Sequence, residues 1–195
     1  MSADHGGMAT RVEAIEGLLA QKGLIDVGSV DRLIDHFTQD VGPLNGAKVI
    51  ARAWVDAVYK KRLLEDGTKA VAEFGFGGPE GARLIAVENT SAVHNVVVCT
   101  LCSCYPWTVL GLPPGWYKSA GYRSRLVAQP RAVLREMGLE IPVEVLVRVW
   151  DSSAEARYFV LPMRPAGTEG MGEVELAELV TRDAMIGVAA IGEPA

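Results

Sequence analysis

Cysteine is missing from almost the whole chain. Outside residues 99–104 there is none, and the three inside that window are Cys99, Cys102 and Cys104. An odd number of thiols in one short stretch, with no distant partner, excludes a disulfide framework. No apolar run approaches the roughly 20 residues that a membrane-crossing helix needs. A surplus of positive charge is lacking too: 19 lysines and arginines stand against 24 acidic residues, for a net charge of −5. Nucleic-acid binding leaves a basic footprint, so these numbers argue against it. The first ten residues are small, polar and glycine-rich, without the basic start and apolar stretch of a signal peptide. A soluble cytoplasmic protein with neither a nucleic-acid nor a membrane partner is the expectation.

What is present suits a globular domain of 195 residues, 49% of them hydrophobic. Apolar spacing predicts a helix over 9–23 (Val12, Ile15, Leu18, Leu19), a second capped by Asp26 or Ser29, and a third over 44–59. One or two helical pieces follow over 60–74. Lys60, Lys61 and Arg62 read as a solvated helix face rather than a phosphate patch. The glycine-rich loop at 75–81 follows a helix rather than a strand and contains Pro79, so it does not read as a nucleotide loop. Two strand-like runs, 83–88 and 93–98, are joined by Asn89-Thr90-Ser91. Beyond the cysteines, short helices are expected at 119–126 and 130–137, strands at 143–150 and 157–162, and a helix at 173–180. The fold class is therefore α+β, with a helical N-terminal arm over 1–75 and a compact mixed core over 76–195 that carries the cysteine loop.

Three ordinary readings of Cys99-Thr100-Leu101-Cys102-Ser103-Cys104 fit poorly. A structural zinc wants four ligands; His94 is the available fourth, and no second Cys-x-x-Cys exists. A redox dithiol opens a helix in a βαβ setting, which Cys104 and Pro106 do not match. Buried structural cysteines would not cluster in this way. Chelate geometry fits better. If the Cys102 and Cys104 thiolates hold one metal, the amide nitrogens of Ser103 and Cys104 lie between them. Once deprotonated, those nitrogens close a six-membered and two five-membered rings. That makes a planar S₂N₂ set, and Thr100-Leu101 is a spacer that lets Cys99 reach the axial position. Proline at 103 or 104 would forbid it, and neither is proline. Three thiolates and two amidates carry five formal negative charges, which selects a small trivalent ion, Co(III) or Fe(III), over zinc. The sixth position stays open, as in catalytic metal sites. The centre remains negative and needs cationic neighbours. No lysine or arginine lies between Arg83 and Lys118, so distant arginines or a second polypeptide must supply them.

The run Val98-Cys99-Thr100-Leu101-Cys102-Ser103-Cys104-Tyr105-Pro106-Trp107 resembles the metal claw of the nitrile hydratase α subunit and its relative, the thiocyanate hydrolase γ subunit. Further matching motifs span nearly the whole chain. They include Val87-Glu88-Asn89-Thr90, Leu110-Gly111-Leu112-Pro113-Pro114, Val149-Trp150-Asp151-Ser152-Ser153 and Arg164-Pro165-Ala166-Gly167-Thr168-Glu169. The resemblance implies that Cys99, Cys102, Cys104 and the backbone nitrogens of Ser103 and Cys104 hold one trivalent metal per chain. Thr100 is the residue of cobalt-type members, so Co(III) is expected and Fe(III) is the alternative. It also implies a Cys102 sulfinate and a Cys104 sulfenate. A β-type subunit would pair with the chain as a heterodimer or heterotetramer and bring arginines to those oxygens. An accessory protein would insert cobalt. The implied reaction is nitrile plus water giving amide, with attack by the Cys104 sulfenate oxygen or by a metal-activated water. Cys104, Cys102 and Ser103 are then the catalytic residues.

Tyr105 and Trp107 are candidates for the substrate pocket. Glu80 and His94 are candidates for hydrogen bonding behind the metal ligands, while Asp151 and Arg157 are expected in polar networks rather than in the chemistry. Departures from the family pattern point to a divergent member. Thr108 replaces a proline, Glu80-Gly81 stands for the usual Gln-Gly, and Ala82-Arg83 replaces an acidic pair. Two other functions compete with nitrile hydration. A thiocyanate hydrolase γ-type subunit is expected to carry a basic residue after Tyr-Pro, where this chain has Trp107. A non-enzymatic metal-binding or transfer protein predicts exchangeable metal and unoxidised thiols.

Overall fold

The computed structural model describes residues 5–76 and 81–191. The chain starts with α1 (His5–Gln21) and α2 (Ser29–Asp35), and a π-helical turn over His36–Val41 follows directly. The apolar stripe predicted for the first helix exists but stays largely exposed, Leu19 being its partly buried member. Val12, Ile15 and Leu18 remain 52%, 57% and 57% exposed, and α2 buries no residue.

The main core begins at α3 (Leu44–Val55), where Val49, Ile50 and Ala51 are fully buried. The helix expected over 44–59 is divided at Asp56, and the cause is local. The Asp56 backbone is extended, and its carboxylate accepts from the amides of Val58 and Tyr59, both at 2.9 Å, which caps a new helix, α4 (Ala57–Glu65). Asp66 repeats the device for α5 (Gly67–Ala72), accepting from the Lys69 amide at 3.1 Å.

The strands fall where the alternating runs place them: β1 (Arg83–Glu88), β2 (Val93–Val98), β3 (Leu146–Asp151) and β4 (Ala156–Leu161). Consecutive strands nevertheless do not pair. β1 runs parallel to β4, with Arg83 opposite Ala156 and Glu88 opposite Leu161; β2 runs parallel to β3, with Val93 opposite Leu146 and Val98 opposite Asp151. Asn95 accounts for the separation of β1 from β2. Its side-chain amide donates to the Glu88 carbonyl at 2.7 Å, and its backbone amide donates to Asn89 Oδ1 at 2.7 Å. These bonds occupy groups that a hairpin ladder would use.

Four short helical segments fill out the second half. These are α6 (Trp107–Leu110), a 3₁₀ turn (Gly115–Lys118), α7 (Ala120–Ala128) and α8 (Pro130–Glu136). After β4 come α9 (Glu173–Leu179) and α10 (Arg182–Ile186). α6, the 3₁₀ turn and α10 are too short for a periodic pattern and were not foreseen. One buried cluster joins α3, α4 and α5 to the strands, to α7 and α8 and to α10, through Leu63, Val71, Val96, Leu126, Leu134, Phe159 and Met185. Gly187 closes α10 at φ +89°. A Cβ there would stand 2.1 Å from the Asn95 carbonyl, so only glycine lets the last helix approach β2.

Candidate metal centre

β2 ends at Val98, and the next eight residues leave the sheet as a loop that α6 terminates. The loop folds back on itself. Cys99 Sγ and Cys102 Sγ are 3.4 Å apart, Cys102 Sγ and Cys104 Sγ are 3.1 Å apart, and all three sulfurs lie within 4.8 Å of one another. Cys99 is buried at the base, Cys104 is half-buried and Cys102 is exposed. The Cys102 amide donates to Cys99 Sγ at 3.3 Å, and the amides of Ser103 and Cys104 stand close enough to the Cys102 sulfur to help lower its pKa. Three sulfurs therefore converge, with the Ser103 and Cys104 amides between two of them along the chain.

Three contacts from distant segments hold the loop. The Asp151 carboxylate, opposite Val98 in the register, accepts from the Thr100 amide at 2.9 Å and from the Thr100 hydroxyl at 2.5 Å. Tyr117 Oη donates to the Cys104 carbonyl at 3.0 Å, and Arg123 Nη1 donates to the Cys102 carbonyl at 3.0 Å.

The three thiols are electrostatically unequal. Hydrogen bonds from Cys104 and Cys99, then from the amides of Ser103 and Cys104, lower the Cys102 thiol to about 7. Burial, then the hydrogen bond with Cys102, raises Cys104 to about 11, and Arg157 opposes that rise. Such a pair shares protons, so one sulfur ionises at the other's expense.

A pocket of about 400 Å³ opens over the loop, lined by Cys102, Ser103, Cys104, Tyr105, Trp107 and Arg157. Trp107 meets Phe37 edge to face, with ring centroids 5.3 Å apart. Tyr105 is buried against Tyr117, and its hydroxyl has no hydrogen-bond partner among the described residues. Thr108, in place of the expected proline, is buried in α6, and its carbonyl accepts from Asn45 Nδ2 at 3.2 Å.

His94 stands at the opposite end of β2 from Cys99. Its Nε2 meets the Gly187 carbonyl at 2.8 Å, its Nδ1 meets the Asn89 amide at 3.3 Å, and it lines a different pocket. Both ring nitrogens are thus engaged, which removes it as the fourth ligand of a zinc site. Glu80 lies outside the described residues.

Sequence reasoning placed Arg157 away from the chemistry and did not single out Arg123 or Tyr117. No spacing rule links these residues to position 99. The pairing of β2 with β3 and of β1 with β4 brings Asp151 and Arg157 to the loop, and α7 and the 3₁₀ turn bring Arg123 and Tyr117.

Comparison with known proteins agrees with this geometry. The sequence pattern described as "Nitrile hydratase, alpha chain" matches residues 6–189. The chain is 58% identical over 179 residues to the high-molecular weight cobalt-containing nitrile hydratase subunit alpha of Rhodococcus rhodochrous, covering 91% of this chain and 88% of that one. It is 44% identical over 187 residues to the thiocyanate hydrolase subunit gamma of Thiobacillus thioparus, covering 90% and 76%. A solved double mutant of the Fe-type nitrile hydratase from Comamonas testosteroni Ni1 superimposes with a TM-score of 0.92 at 43% identity, over 99% of this chain and 97% of that one. A cysteine claw at the end of β2, set in a fold shared along its whole length with these proteins, means that the chain belongs to the nitrile hydratase alpha-chain family.

Proposed function

We propose that this chain is the metal-binding catalytic subunit of a cobalt-type nitrile hydratase, converting a nitrile and water to the amide. The observation that carries the reading is the convergence of three sulfurs beside a pocket lined by Cys102, Ser103, Cys104, Trp107 and Tyr105. Cys99, Cys102 and Cys104 with the Ser103 and Cys104 nitrogens would hold Co(III), and Thr100 favours cobalt over iron. When bound, the ion would supply a Lewis acid.

This chain's residues do the rest. Trp107, braced by Phe37, gives the pocket an apolar wall that suits the carbon side of a nitrile. Asp151, Tyr117 and Arg123 hold the claw backbone in its folded-back form, so ligation needs little rearrangement. Cys102 is read as a sulfinate and Cys104 as a sulfenate. The exposed apolar stripe of α1 and the unburied α2 supply a face for a β-type partner subunit, in a heterodimer or heterotetramer. Cobalt insertion is assigned to an accessory protein, and the cytoplasm is the compartment that suits thiols kept for a metal.

The test is co-production with the neighbouring β-type subunit in medium holding cobalt, iron and zinc, followed by metal analysis and a nitrile-to-amide assay with thiocyanate in parallel. About one inert cobalt per chain with amide formation is expected. Turnover of thiocyanate alone assigns the chain to the γ-type branch, and exchangeable zinc without activity assigns it to metal handling.

A further inference from the structure

We propose that Arg157 of this chain is a positioning residue for the claw, donating to an oxygen carried by the Cys104 sulfur. The inference rests on the reading of Cys104 as a sulfenate. It assigns to the chain's own β4 a role that the resemblance gives to a partner subunit.

Four observations carry it. Arg157 lines the pocket over the claw together with Cys104, near enough to the thiol to oppose the rise of its pKa. Its guanidinium is fixed from behind, because Nη1 donates to the Ser153 carbonyl, so the group cannot swing out to solvent without losing that bond. Its Nε–H is buried and has no acceptor among the described residues. No carboxylate pairs with it among the described residues, whereas Arg52, Arg62 and Arg125 each hold a glutamate.

A part-buried cation that keeps an unused donor, in the wall of the same pocket as a sulfur, lacks an acceptor. A thiol is a weak one. An anionic oxygen on the same sulfur is a strong one, and the resulting charge-assisted hydrogen bond satisfies the donor and the charge together. The stretch from Arg83 to Lys118 holds no other lysine or arginine, so within this chain the charge must come from a distant segment. Arg123 has a similar buried, unpartnered Nε–H, but its Nη1 is bonded to the Cys102 carbonyl, and Arg123 serves the claw backbone rather than the Cys104 sulfur.

The experiment uses the cobalt-loaded complex with the β-type subunit, as wild type and as Arg157→Lys and Arg157→Gln. Mass spectrometry of the claw peptide counts oxygen atoms on each cysteine, and metal analysis counts cobalt. The complexes are then exposed to dithiothreitol. Reduction breaks the S–O bond of Cys104. The two dithiothreitol thiols give two electrons and two protons, the oxygen leaves as water, Cys104 returns to thiolate and dithiothreitol closes its disulfide.

Chains that lack the Arg157 fork are expected to lose the Cys104 oxygen on the order of tenfold faster at equal cobalt content, with the Cys102 oxygens unaffected. A purely structural loss would move the two cysteines together. If the Gln variant does not assemble, the Lys variant is read alone, since it keeps the charge and removes the Nε–H. Equal rates in variant and wild type overturn the proposal while leaving the oxidised claw standing. A wild-type peptide with no oxygen on Cys104 overturns the oxidised-claw reading and this proposal with it.

Discussion

Thr100 and Asp151 are fifty-one positions apart and share two hydrogen bonds: the Thr100 amide and hydroxyl both donate to the one carboxylate, at 2.9 and 2.5 Å. The register of β2 on β3 sets this contact, because Val98 lies opposite Asp151 and the loop leaves the sheet at the next residue. Asp151→Asn keeps the shape but weakens both bonds, and Thr100→Val removes only the hydroxyl. Each is exposed, so the expected loss of unfolding free energy is about 1 kcal/mol for Asp151→Asn and smaller for Thr100→Val. The larger expected effect is on cobalt content after expression, lower in Asp151→Asn than in Thr100→Val. Full cobalt occupancy in Asp151→Asn would show that the carboxylate does not organise the loop.

Removing any sulfur should empty the claw. Cys99→Ala is the most informative variant, because Cys99 is buried beneath the other two and its loss leaves Cys102 and Cys104 in place. Metal content is expected to fall to below about one tenth of wild type, since soft thiolate donors provide most of the site's selectivity. Retained, inert cobalt in Cys99→Ala would contradict a three-sulfur site.

In the metal-free, reduced chain the thiols should alkylate in order. Cys102 is exposed and held near 7, whereas Cys104 is pushed up to about 11, so raising the pH through 7 turns Cys102 to thiolate long before Cys104. Iodoacetamide at about pH 8 is expected to label Cys102 first, because the thiolate is the nucleophile. Peptide mapping at short times checks the order, and early labelling of Cys104 would refute it.

Burial lowers the His94 imidazole below its ordinary 6.5, with the Gly187 carbonyl opposing in part. The unfolded chain therefore takes up a proton that the folded chain refuses. Stability is unaffected well above 6.5 and declines as pH falls through that value. His94→Gln removes this titration. Its melting temperature is expected to be lower at neutral pH, because the Gly187 contact is weakened, and to fall less than that of the wild type between about pH 7 and about pH 5. Parallel acid-side slopes would exclude His94 as a source of acid sensitivity.

The chain's local features could be read without coordinates. The claw is made by consecutive residues, so the spacing Cys-x-x-Cys-x-Cys is already the chelate geometry. Helix and strand positions followed from apolar period, and the split at Asp56 follows from a capping preference visible once aspartate is read as a helix start. The stripe Val12, Ile15 and Leu18 was legible as amphipathic, but the sequence could not say that it stays more than half exposed among the described residues.

What surrounds the claw came from the fold alone. Strands adjacent in sequence suggest a hairpin, and only the packed molecule shows β1 with β4 and β2 with β3, both parallel. That pairing sends Asp151 to Thr100 and Arg157 to the pocket over Cys104. It also sends His94 to Gly187, at the far end of the strand from the metal loop. Ligand identity is a short-range property of the chain, fixed by bond lengths between neighbours. The charges and donors that complete the site are long-range, and their position depends on a strand register that leaves no mark in local sequence.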